Sequence, residues 1–324
     1  MGEVAVTAAL PGKALMHLAA YHTVRVRPPG PALAGRELVA FVGGADALIC
    51  LLADLVSAEV FTLCPHLKVV ANYAVGVNNV DLEAARTCGV WVTNTPDVLT
   101  GATADLTWAL ILAVARRVVE GDLLVRTGTF TGWRPDVLLG AGLQGKTLGV
   151  VGMGRIGRAV ALRAAGFGMR VRYTSLEALP PSDPMDAEYV ADIERLLPHV
   201  DVLTLHCPLT AQTRNLMNGR RLRLLPKGAL LINTSRGEVV DEAALVAALE
   251  GGHLGGAGLD VYEAEPQVHP GLLGRSDVVL LPHLGSATRE ARAAMADLAV
   301  ENVLAVLAGA VPPTPAIRPL VPRV

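Results

Sequence analysis

The sequence predicts an α/β protein built on parallel β-sheets. Short apolar runs recur along the chain and are separated by stretches of helical or loop composition. A continuous apolar run such as Ala47–Ala53 is typical of a strand that is covered on both faces, as in parallel sheets. The alternation of strands with helices indicates repeated βαβ units. A chain of 324 residues can form two domains that each bury a core.

The composition excludes several classes of function. Hydrophobic residues make up 52% of the chain and charged residues 18%, which indicates a globular protein. The net charge of -2 and the lack of a Lys/Arg block argue against nucleic-acid binding. The longest apolar run, Leu106–Ala115, is too short to cross a bilayer, and no signal peptide pattern is visible. We therefore expect a cytoplasmic protein with no nucleic-acid or membrane partner.

The first third of the chain alternates strands with helices. Its predicted elements are strands at Glu3–Leu10, Thr23–Arg27, Ala47–Ala53 and Leu67–Ala71, and helices at Pro11–Ala20 and Leu82–Arg86. Asp81 is a good N-cap for the second helix. After the fourth strand, Val75, Gly76 and two asparagines predict a tight turn with free backbone N–H groups. Such a turn can bind a carboxylate, although an ordinary connecting loop is the commoner meaning of this composition.

A long Ala/Leu-rich helix is predicted over Ala102–Asp122, after a boundary at Thr93–Asp97. Its apolar face is wide, so we expect that face to be buried against the other domain or another subunit. Asp105 is expected to be only a charge near the helix start. Val125–Leu143 follows as a Gly-rich excursion that contains Trp133, which is either a packing anchor or part of an interface.

A glycine-rich turn predicts a dinucleotide site. The strand Lys146–Val151 leads into Gly152-Met153-Gly154-Arg155-Ile156-Gly157, and a helix is predicted over Arg158–Phe167. The glycines permit a tight turn, close approach of a pyrophosphate and close helix–strand packing. The helix N-terminus supplies unpaired N–H groups for the phosphates. The candidate cofactor-binding residues are Gly152, Gly154, Arg155, Ile156 and Gly157.

The residue after the next strand bears on the choice of cofactor. An NAD-selective unit normally ends this strand, here Arg170–Thr174, with an acid that binds the ribose 2′-OH. Ser175 occupies that place, so no acid there repels a 2′-phosphate, and no arginine follows it to bind one. The sequence therefore favours NADP(H), with use of NAD(H) left open.

Acid–base chemistry is predicted from three ionisable residues near the C-terminal ends of strands. Arg236 follows the apolar run Leu230–Ile232, Glu265 follows Gly258–Val261, and His283 follows Val278–Leu281. In a parallel sheet these ends meet at the edge where ligands bind. A fixed cation, a carboxylate and an imidazole there suit an anionic substrate. The other elements predicted here are strands at Asp201–His206 and Ala229–Ile232 and helices at Asp241–Leu249 and Ser286–Leu307.

The four cysteines are scattered and show no CxxC spacing. Three of them lie in or beside apolar stretches, so buried reduced thiols are expected rather than a disulfide framework or a metal site. The histidines other than His206 and His283 are expected to have ordinary surface or capping roles. His206 ends a predicted strand, where its backbone could contact the cofactor.

Five motifs occur together between Ala47 and Gly309. They are Gly152–Gly157, Leu205–Thr210, Asn233–Gly237, Asp260-Val261 with Glu265-Pro266, and Pro282–Ser286. On these motifs the chain resembles the D-isomer-specific 2-hydroxyacid dehydrogenase family. Thr95–Thr100 and Gly132–Pro135 are similar to the glyoxylate/hydroxypyruvate reductase branch.

The resemblance implies two Rossmann-like domains with parallel sheets. A dinucleotide-binding domain, 99–286, would be inserted into a discontinuous substrate-binding domain, 1–98 and 287–324. The substrate would bind in the cleft between them. The family is usually homodimeric through the cofactor domain, which would explain the apolar face after Ala102.

The resemblance also implies roles for single residues. Hydride transfer from NAD(P)H would reduce C2 of a small 2-oxo acid, with His283 as the proton donor and Glu265 on its far ring nitrogen. Arg236 and the N–H groups of Val75 and Gly76 would bind the substrate carboxylate, and Trp133 would reach a neighbouring subunit's active site. The resemblance implies no metal site. It implies further cofactor contacts at Ser175, Pro208, Thr213, Thr234, Asp260 and Gly285.

Two alternatives stay open. One is another D-2-hydroxyacid dehydrogenase of the phosphoglycerate or D-lactate type, although the turn at Val75–Asn79 supplies no basic residue for a phosphate. A formate-dehydrogenase-like function is disfavoured, because that branch has Gln where this chain has Glu265. The other is a non-catalytic, cofactor-sensing protein similar to the corepressors of this family, which tend to carry longer disordered tails.

Overall fold

The computed structural model describes residues 1–323. Its strands are β1 (Glu3–Val6), β2 (Thr23–Val26), β3 (Ala47–Leu51), β4 (Val69–Tyr73), β5 (Trp91–Thr93), β6 (Thr147–Val151), β7 (Arg170–Thr174), β8 (Glu188–Tyr189), β9 (Val202–Leu205), β10 (Ala229–Asn233), β11 (Leu254–Leu259), β12 (Val278–Leu280) and β13 (Pro315–Ile317). Its α-helices are α1 (Ala14–Ala19), α2 (Gly35–Val42), α3 (Ala58–Leu63), α4 (Leu82–Thr87), α5 (Thr100–Ala115), α6 (Val118–Arg126), α7 (Arg155–Ala164), α8 (Ile193–Leu196), α9 (Gly219–Leu222), α10 (Glu242–Glu250), α11 (Pro270–Leu273) and α12 (Arg289–Leu307). Short 3-10 turns occur at Ala165–Phe167, Leu197–His199 and Gly237–Val239.

The chain divides into two compact units. Unit 1 comprises Met1–Leu99 and Ser286–Val324, and unit 2 comprises Thr100–Gly285. In unit 1 the strand order is β13-β5-β4-β3-β1-β2, and neighbouring strands are parallel except that β13 runs antiparallel to β5. Leu48, Phe61 and Val70 belong to its core, and α12 lies against β4.

Unit 2 contains a seven-stranded parallel sheet in the order β12-β11-β10-β9-β6-β7-β8. Strand order reverses between β6 and β9, and this switch point is where parallel sheets of this type bind ligands. One core cluster includes Leu203, Leu231 and Leu245, and another includes Ile111 and Leu148. The predicted α/β fold with parallel sheets is confirmed, with one antiparallel edge strand in unit 1 that the sequence did not predict.

The helix predicted over Ala102–Asp122 is wrong in its extent. It begins two residues earlier, at Thr100, and is interrupted after Ala115, because Arg117 adopts the left-handed conformation with φ 53. A non-glycine residue in that conformation cannot continue a right-handed helix. The chain therefore forms two helices, α5 and α6, where one was predicted.

The apolar face of α5 is covered within unit 2. Leu110 and Ile111 are buried, and α5 packs against α7 and against strands β10, β11 and β12. The indole N–H of Trp108 donates to the Val160 carbonyl at 3.0 Å, and its ring stacks on Phe167 at 4.3 Å. Unit 2 itself therefore buries this face at Leu110 and Ile111, and burial of α5 against another subunit stays a prediction. Asp105, expected to be only a helix-start charge, pairs with Arg163 on α7 at 2.8 Å.

Several other helices and strands begin or end at residues that differ from the predicted ones. Helix α7 begins at Arg155 rather than Arg158, because Gly154 is its N-cap. Helix α12 begins at Arg289 rather than Ser286, because the Thr288 hydroxyl accepts a hydrogen bond from the N–H of Ala291 at 3.0 Å. Among the predicted strands, the largest overextensions are in β1, which stops at Val6 rather than Leu10, and in β3, which stops at Leu51 rather than Ala53.

Several elements were not predicted, among them α2, α3, β5 and β13. The four cysteines are free thiols, and Cys50, Cys64 and Cys207 are buried. Within residues 1–323, no helix is long and apolar enough to cross a membrane. In the same residues, no group of three or more His, Cys, Asp or Glu side chains is arranged to hold a metal ion.

Candidate active site

The carboxyl edge of the unit 2 sheet brings together the three ionisable residues. Strands β10, β11 and β12 are adjacent and parallel, so the segments that follow them leave the sheet on the same side. Arg236 follows β10, Glu265 follows β11 and His283 follows β12. The sheet therefore places a guanidinium, a carboxylate and an imidazole on neighbouring segments.

Glu265 and His283 form a hydrogen-bonded pair. Nδ1 of His283 lies 2.9 Å from Oε2 of Glu265, while Oε1 accepts from the N–H of Tyr262 at 3.1 Å. Burial raises the pKa of the Glu265 carboxyl, but the hydrogen bond and charge of His283, the Tyr262 N–H and the charge of Arg236 together lower it below its usual value. Glu265 is therefore a carboxylate at neutral pH, and it orients the imidazole.

The backbone of His283 is held in an unusual conformation. Its φ is 56, in the left-handed region that non-glycine residues rarely adopt. Asp260 fixes this turn, because its backbone carbonyl accepts from the N–H of His283 at 2.9 Å and its carboxylate accepts from the N–H groups of Leu284 at 2.6 Å and Gly285 at 2.8 Å. Burial raises the pKa of Asp260, against the lowering effect of these donors. The predicted cofactor residues Asp260 and Gly285 thus form the support of His283.

Arg236 is held by its neighbours in the turn after β10. The buried side chain of Asn233 donates to the Arg236 carbonyl at 2.9 Å and accepts from the N–H of Ser235 at 3.0 Å. Burial lowers the pKa of the Arg236 guanidinium, although the charges of Glu265 and Glu238 raise it. An arginine stays protonated under such a shift, so the position carries a fixed positive charge.

Gly237 permits a close approach between the segments after β10 and β11. A Cβ at this position would lie 1.8 Å from the carbonyl carbon of Tyr262. The segment after β11 is also held by Glu242 of α10, whose carboxylate accepts from the N–H of Glu263 at 2.9 Å. Any larger residue at Gly237 would therefore displace the segment that carries Glu265.

The three glycines of the turn after β6 differ in why, or whether, a side chain would clash there. Gly152 has φ 93, and a Cβ there would lie 2.7 Å from the backbone nitrogen of Cys207. A Cβ on Gly157 would lie 2.1 Å from the Gly152 carbonyl oxygen, whereas a Cβ on Gly154 would meet nothing within 4 Å. Gly154 therefore faces open space at the N-terminus of α7, where a phosphate can approach the backbone N–H groups of the first turn. This geometry fits a dinucleotide, with Arg155 exposed and Ile156 half-buried in the first turn of the helix.

The remaining candidate cofactor residues lie on the same edge of the sheet. The Thr234 hydroxyl is 2.9 Å from that of Thr107 on α5, and the hydroxyl of Thr213 donates to the Pro208 carbonyl at 2.6 Å. Ser175 directly follows β7. His206 directly follows β9, and its Nε2 lies 2.9 Å from the hydroxyl of Thr204. Burial lowers the pKa of His206 to about 3.

Two candidate substrate residues lie on unit 1. Val75 and Gly76 follow β4, and both are half-buried. The Val75 carbonyl accepts from Nδ2 of Asn94 at 2.7 Å, and the Gly76 carbonyl accepts from Nδ2 of Asn72 at 2.8 Å. Neither asparagine carries a charge that would mark it as an anchor in the sequence. Trp133, on unit 2, is 83% exposed and is not brought to Arg236, Glu265 or His283 by any contact within residues 1–323.

Sequence reasoning also missed residues that support the site on unit 2. Asn233 lies within one motif and Tyr262 between the two parts of another, but neither side chain is charged. Thr103 and Thr107 lie in the apolar helix α5, four residues apart, and their hydroxyls reach the Gly285 carbonyl at 3.0 Å and the Thr234 hydroxyl. Buried polar groups are nearly always hydrogen-bonded, so two threonines four positions apart on the buried face of an apolar helix indicate a hydrogen-bonding role. That spacing could have identified Thr103 and Thr107 from the sequence.

Comparisons with known proteins identify relatives of this chain. Residues 108–285 match the family described as "D-isomer specific 2-hydroxyacid dehydrogenase, NAD binding domain". The chain is 51% identical to the glyoxylate reductase of Thermococcus litoralis over 273 residues, 83% of this chain and 82% of that protein. It is 45% identical to the glyoxylate reductase of Thermococcus kodakarensis over 96% of this chain and 95% of that protein.

A similar solved structure is the NADPH-dependent glyoxylate/hydroxypyruvate reductase of Sinorhizobium meliloti, in complex with NADP and malonate. The TM-score is 0.87 and the identity 33%, over 100% of this chain and 99% of that chain. The similarity therefore extends through both units.

Proposed function

The chain belongs to the D-isomer-specific 2-hydroxyacid dehydrogenase family, and we propose that it reduces glyoxylate and hydroxypyruvate to their 2-hydroxy acids. Members of this family are oxidoreductases that use NAD(P)H. The observation that carries the proposal is the 2.9 Å hydrogen bond between His283 and Glu265 on the strand edge that also holds Arg236. The substrate names come from relatives that share 44–51% of their residues with this chain.

The proposed role of His283 is to give a proton to the C2 oxygen of the substrate. Its Nδ1 is bound to Glu265, which leaves Nε2 without a protein partner within residues 1–323. Through this 2.9 Å contact the Glu265 carboxylate fixes the orientation of the ring. Reduction develops negative charge on the oxygen, and a positioned acid removes that charge as it forms.

Arg236 is proposed to bind the substrate carboxylate and to polarise the C2 carbonyl. Its charge is permanent and its donors form a rigid fork that matches a carboxylate. Asn233 fixes the backbone from which the guanidinium extends. Val75 and Gly76 are proposed to donate backbone N–H groups to the same class of anion.

The proposed cofactor is NADPH, which supplies the hydride when bound. Gly152, Gly154 and Gly157 with the start of α7 would hold its pyrophosphate, because Gly154 is open there. Ser175 puts no carboxylate directly after β7, which supports acceptance of a 2′-phosphate. The Sinorhizobium meliloti relative is named as NADPH-dependent and binds NADP.

A homodimer through unit 2 is proposed from exposed apolar residues. Val118, Val119 and Leu123 on α6 are 51–59% exposed, and Trp133 in the segment that follows is 83% exposed. Apolar side chains gathered on one segment are typical of a subunit interface. Leu123→Glu should therefore yield a monomer by light scattering, while the control Leu273→Glu on α11 should remain a dimer. A cytoplasmic location stays a prediction.

The test of the proposed function is an assay of the purified wild type. NADPH and NADH oxidation is followed with glyoxylate, hydroxypyruvate and pyruvate, and the values of kcat/KM are compared. We expect turnover of the first two substrates and a preference for NADPH that Ser175→Asp reverses. The absence of turnover with all three acids and both cofactors would overturn the proposal. A preference of the wild type for NADH of about tenfold, ~1.4 kcal/mol, would overturn the cofactor choice.

The alternatives gain no support from these relatives. The eight curated relatives compared are all named glyoxylate reductase, which favours neither a phosphoglycerate nor a D-lactate enzyme. None of these eight relatives is named as a corepressor or another cofactor-sensing binding protein.

A further inference from the structure

We infer that Asn94 is a positioning residue that directs the N–H groups of Val75 and Gly76 toward the substrate. The inference rests on the proposed function, in which these N–H groups bind the carboxylate of a 2-oxo acid. It assigns a role to Asn94, and to Thr314, which holds Asn94 in place. Neither residue is charged, and no sequence motif assigned a role to either. All residues of this arrangement belong to unit 1.

Two successive carbonyls of the turn are bound by the same segment. The N–H of Thr95 donates to the Ala74 carbonyl at 2.9 Å, and Nδ2 of Asn94 donates to the Val75 carbonyl at 2.7 Å. A trans peptide is planar, so the N–H of each peptide points opposite to its C=O. The N–H groups of Val75 and Gly76 are therefore directed away from Asn94 and Thr95.

These two N–H groups are left available for a ligand. Within residues 1–323, neither donates to a protein acceptor. The turn is also anchored from a second side, where Nδ2 of Asn72 donates to the Gly76 carbonyl at 2.8 Å. Successive N–H groups fixed in one direction form an anion-binding concavity, because they need no reordering when the anion binds.

Asn94 is itself held by the segment before the C-terminal strand. The Thr314 hydroxyl donates to the Asn94 carbonyl at 2.6 Å, and the Asn94 N–H donates to the Thr314 carbonyl at 3.3 Å. The fully buried Asn302 of α12 donates to the Thr314 hydroxyl at 2.8 Å and accepts from the Thr314 N–H at 3.0 Å. The chain Asn302–Thr314–Asn94 thus fixes the donor that aligns the turn.

A positioning role predicts a specific kinetic pattern. Removal of the donor frees the Val75 carbonyl, so the carboxylate must then order the turn as it binds. This loss affects the bound substrate and the transition state equally, so KM rises while kcat is preserved. A merely structural role would instead lower the melting temperature without separating KM from kcat.

The experiment compares Asn94→Ala with wild-type enzyme, using glyoxylate as substrate and oxamate as a non-reducible carboxylate analogue. We expect KM for glyoxylate and the calorimetric Kd of oxamate each to rise roughly tenfold, with kcat within about twofold and the Kd of NADPH unchanged. Thr314→Val should raise KM by a smaller factor, and Thr314→Ser, which retains the hydroxyl, should restore it. Asn218→Ala is the matched control, because Asn218 caps α9 on unit 2.

Unchanged KM and oxamate affinity in Asn94→Ala would overturn the inference. An equal loss of oxamate and NADPH affinity would also overturn it, since that pattern indicates general destabilisation. Oxamate binding requires no turnover, so the inference is tested even if the wild type reduces no 2-oxo acid. That second result would count against the proposed function alone.

Discussion

The carboxyl edges of the two sheets present different kinds of groups. In unit 2, the segments after β10, β11 and β12 carry the ionisable residues Arg236, Glu265 and His283. In unit 1, the segment after β4 presents uncharged N–H groups, and asparagine side chains hold their carbonyls. Charged groups can transfer a proton and stabilise developing charge, whereas fixed amides bind an anion without titrating. The difference supports the proposal that proton transfer belongs to the unit 2 edge alone, whereas both edges bind the anion.

The largest effect is expected from removing the proton donor. His283→Ala should lower kcat by about 10²- to 10⁴-fold, because proton transfer by a positioned side chain contributes that much. KM should change far less, since the carboxylate contacts remain. Steady-state kinetics at saturating cofactor measures both values. His199→Ala is the control, because His199 is an exposed histidine of the same unit. A kcat within a few-fold of wild type in His283→Ala would mean that the unit 2 edge does not supply the proton, which would contradict the proposed difference between the two edges.

The second-largest effect is expected from changing the shape of the cation at position 236. Arg236→Lys keeps the positive charge but replaces the fork of donors with a point charge. We expect kcat/KM to fall by about 10²-fold, the size seen when a preorganised donor is removed from an active site. Arg223→Lys is the matched control at an exposed position on unit 2. Wild-type kcat/KM in Arg236→Lys would mean that charge alone is sufficient at this edge.

The sequence predicted the charged edge better than the neutral one. Arg236, Glu265 and His283 could be found because ionisable side chains after apolar runs are unusual and their positions follow from strand alternation. Asn94 and Thr314 lie 220 positions apart, and their contact depends on β13 adding antiparallel to β5. No local pattern in the sequence contains that pairing.

The errors in helix boundaries have a similar cause. Composition and periodicity continue through Arg117, yet the backbone there turns left-handed and divides α5 from α6. The apolar face of α5 was visible in the sequence, but what covers it depends on how α5 packs on β10, β11 and β12. Local propensity therefore predicted the elements of the fold, and tertiary packing determined where they end and what they contact.

A smaller effect distinguishes two histidines on the same edge. His206 also follows a strand of unit 2, but burial lowers its pKa to about 3, so it stays neutral where His283 is proposed to act. An unfolded histidine has a pKa of about 6.5, so between that pH and the pKa of about 3 in the folded protein the unfolded chain binds more protons. Stability should therefore fall as the pH drops through this range, by at most about 1.4 kcal/mol per pH unit from this group.

Urea unfolding of the wild type and His206→Gln from neutral to acidic pH measures this contribution. Since glutamine does not titrate, the free energy of unfolding of His206→Gln should depend less steeply on pH. Parallel slopes for the two proteins would show that His206 binds protons equally in the folded and unfolded states, which would contradict the effect of burial on its pKa.

The most direct test of the division between the two edges is the steady-state kinetics of glyoxylate reduction in the wild type, Glu265→Gln and Asn94→Ala. Reduction needs a positioned proton donor, and Glu265 fixes the His283 ring through the 2.9 Å contact between Oε2 and Nδ1. The account predicts that Glu265→Gln lowers kcat by about tenfold or more with a smaller change in KM, whereas Asn94→Ala raises KM and leaves kcat within about twofold of wild type. A kcat within about twofold of wild type in Glu265→Gln, or a kcat that falls as far in Asn94→Ala as in Glu265→Gln, would contradict it.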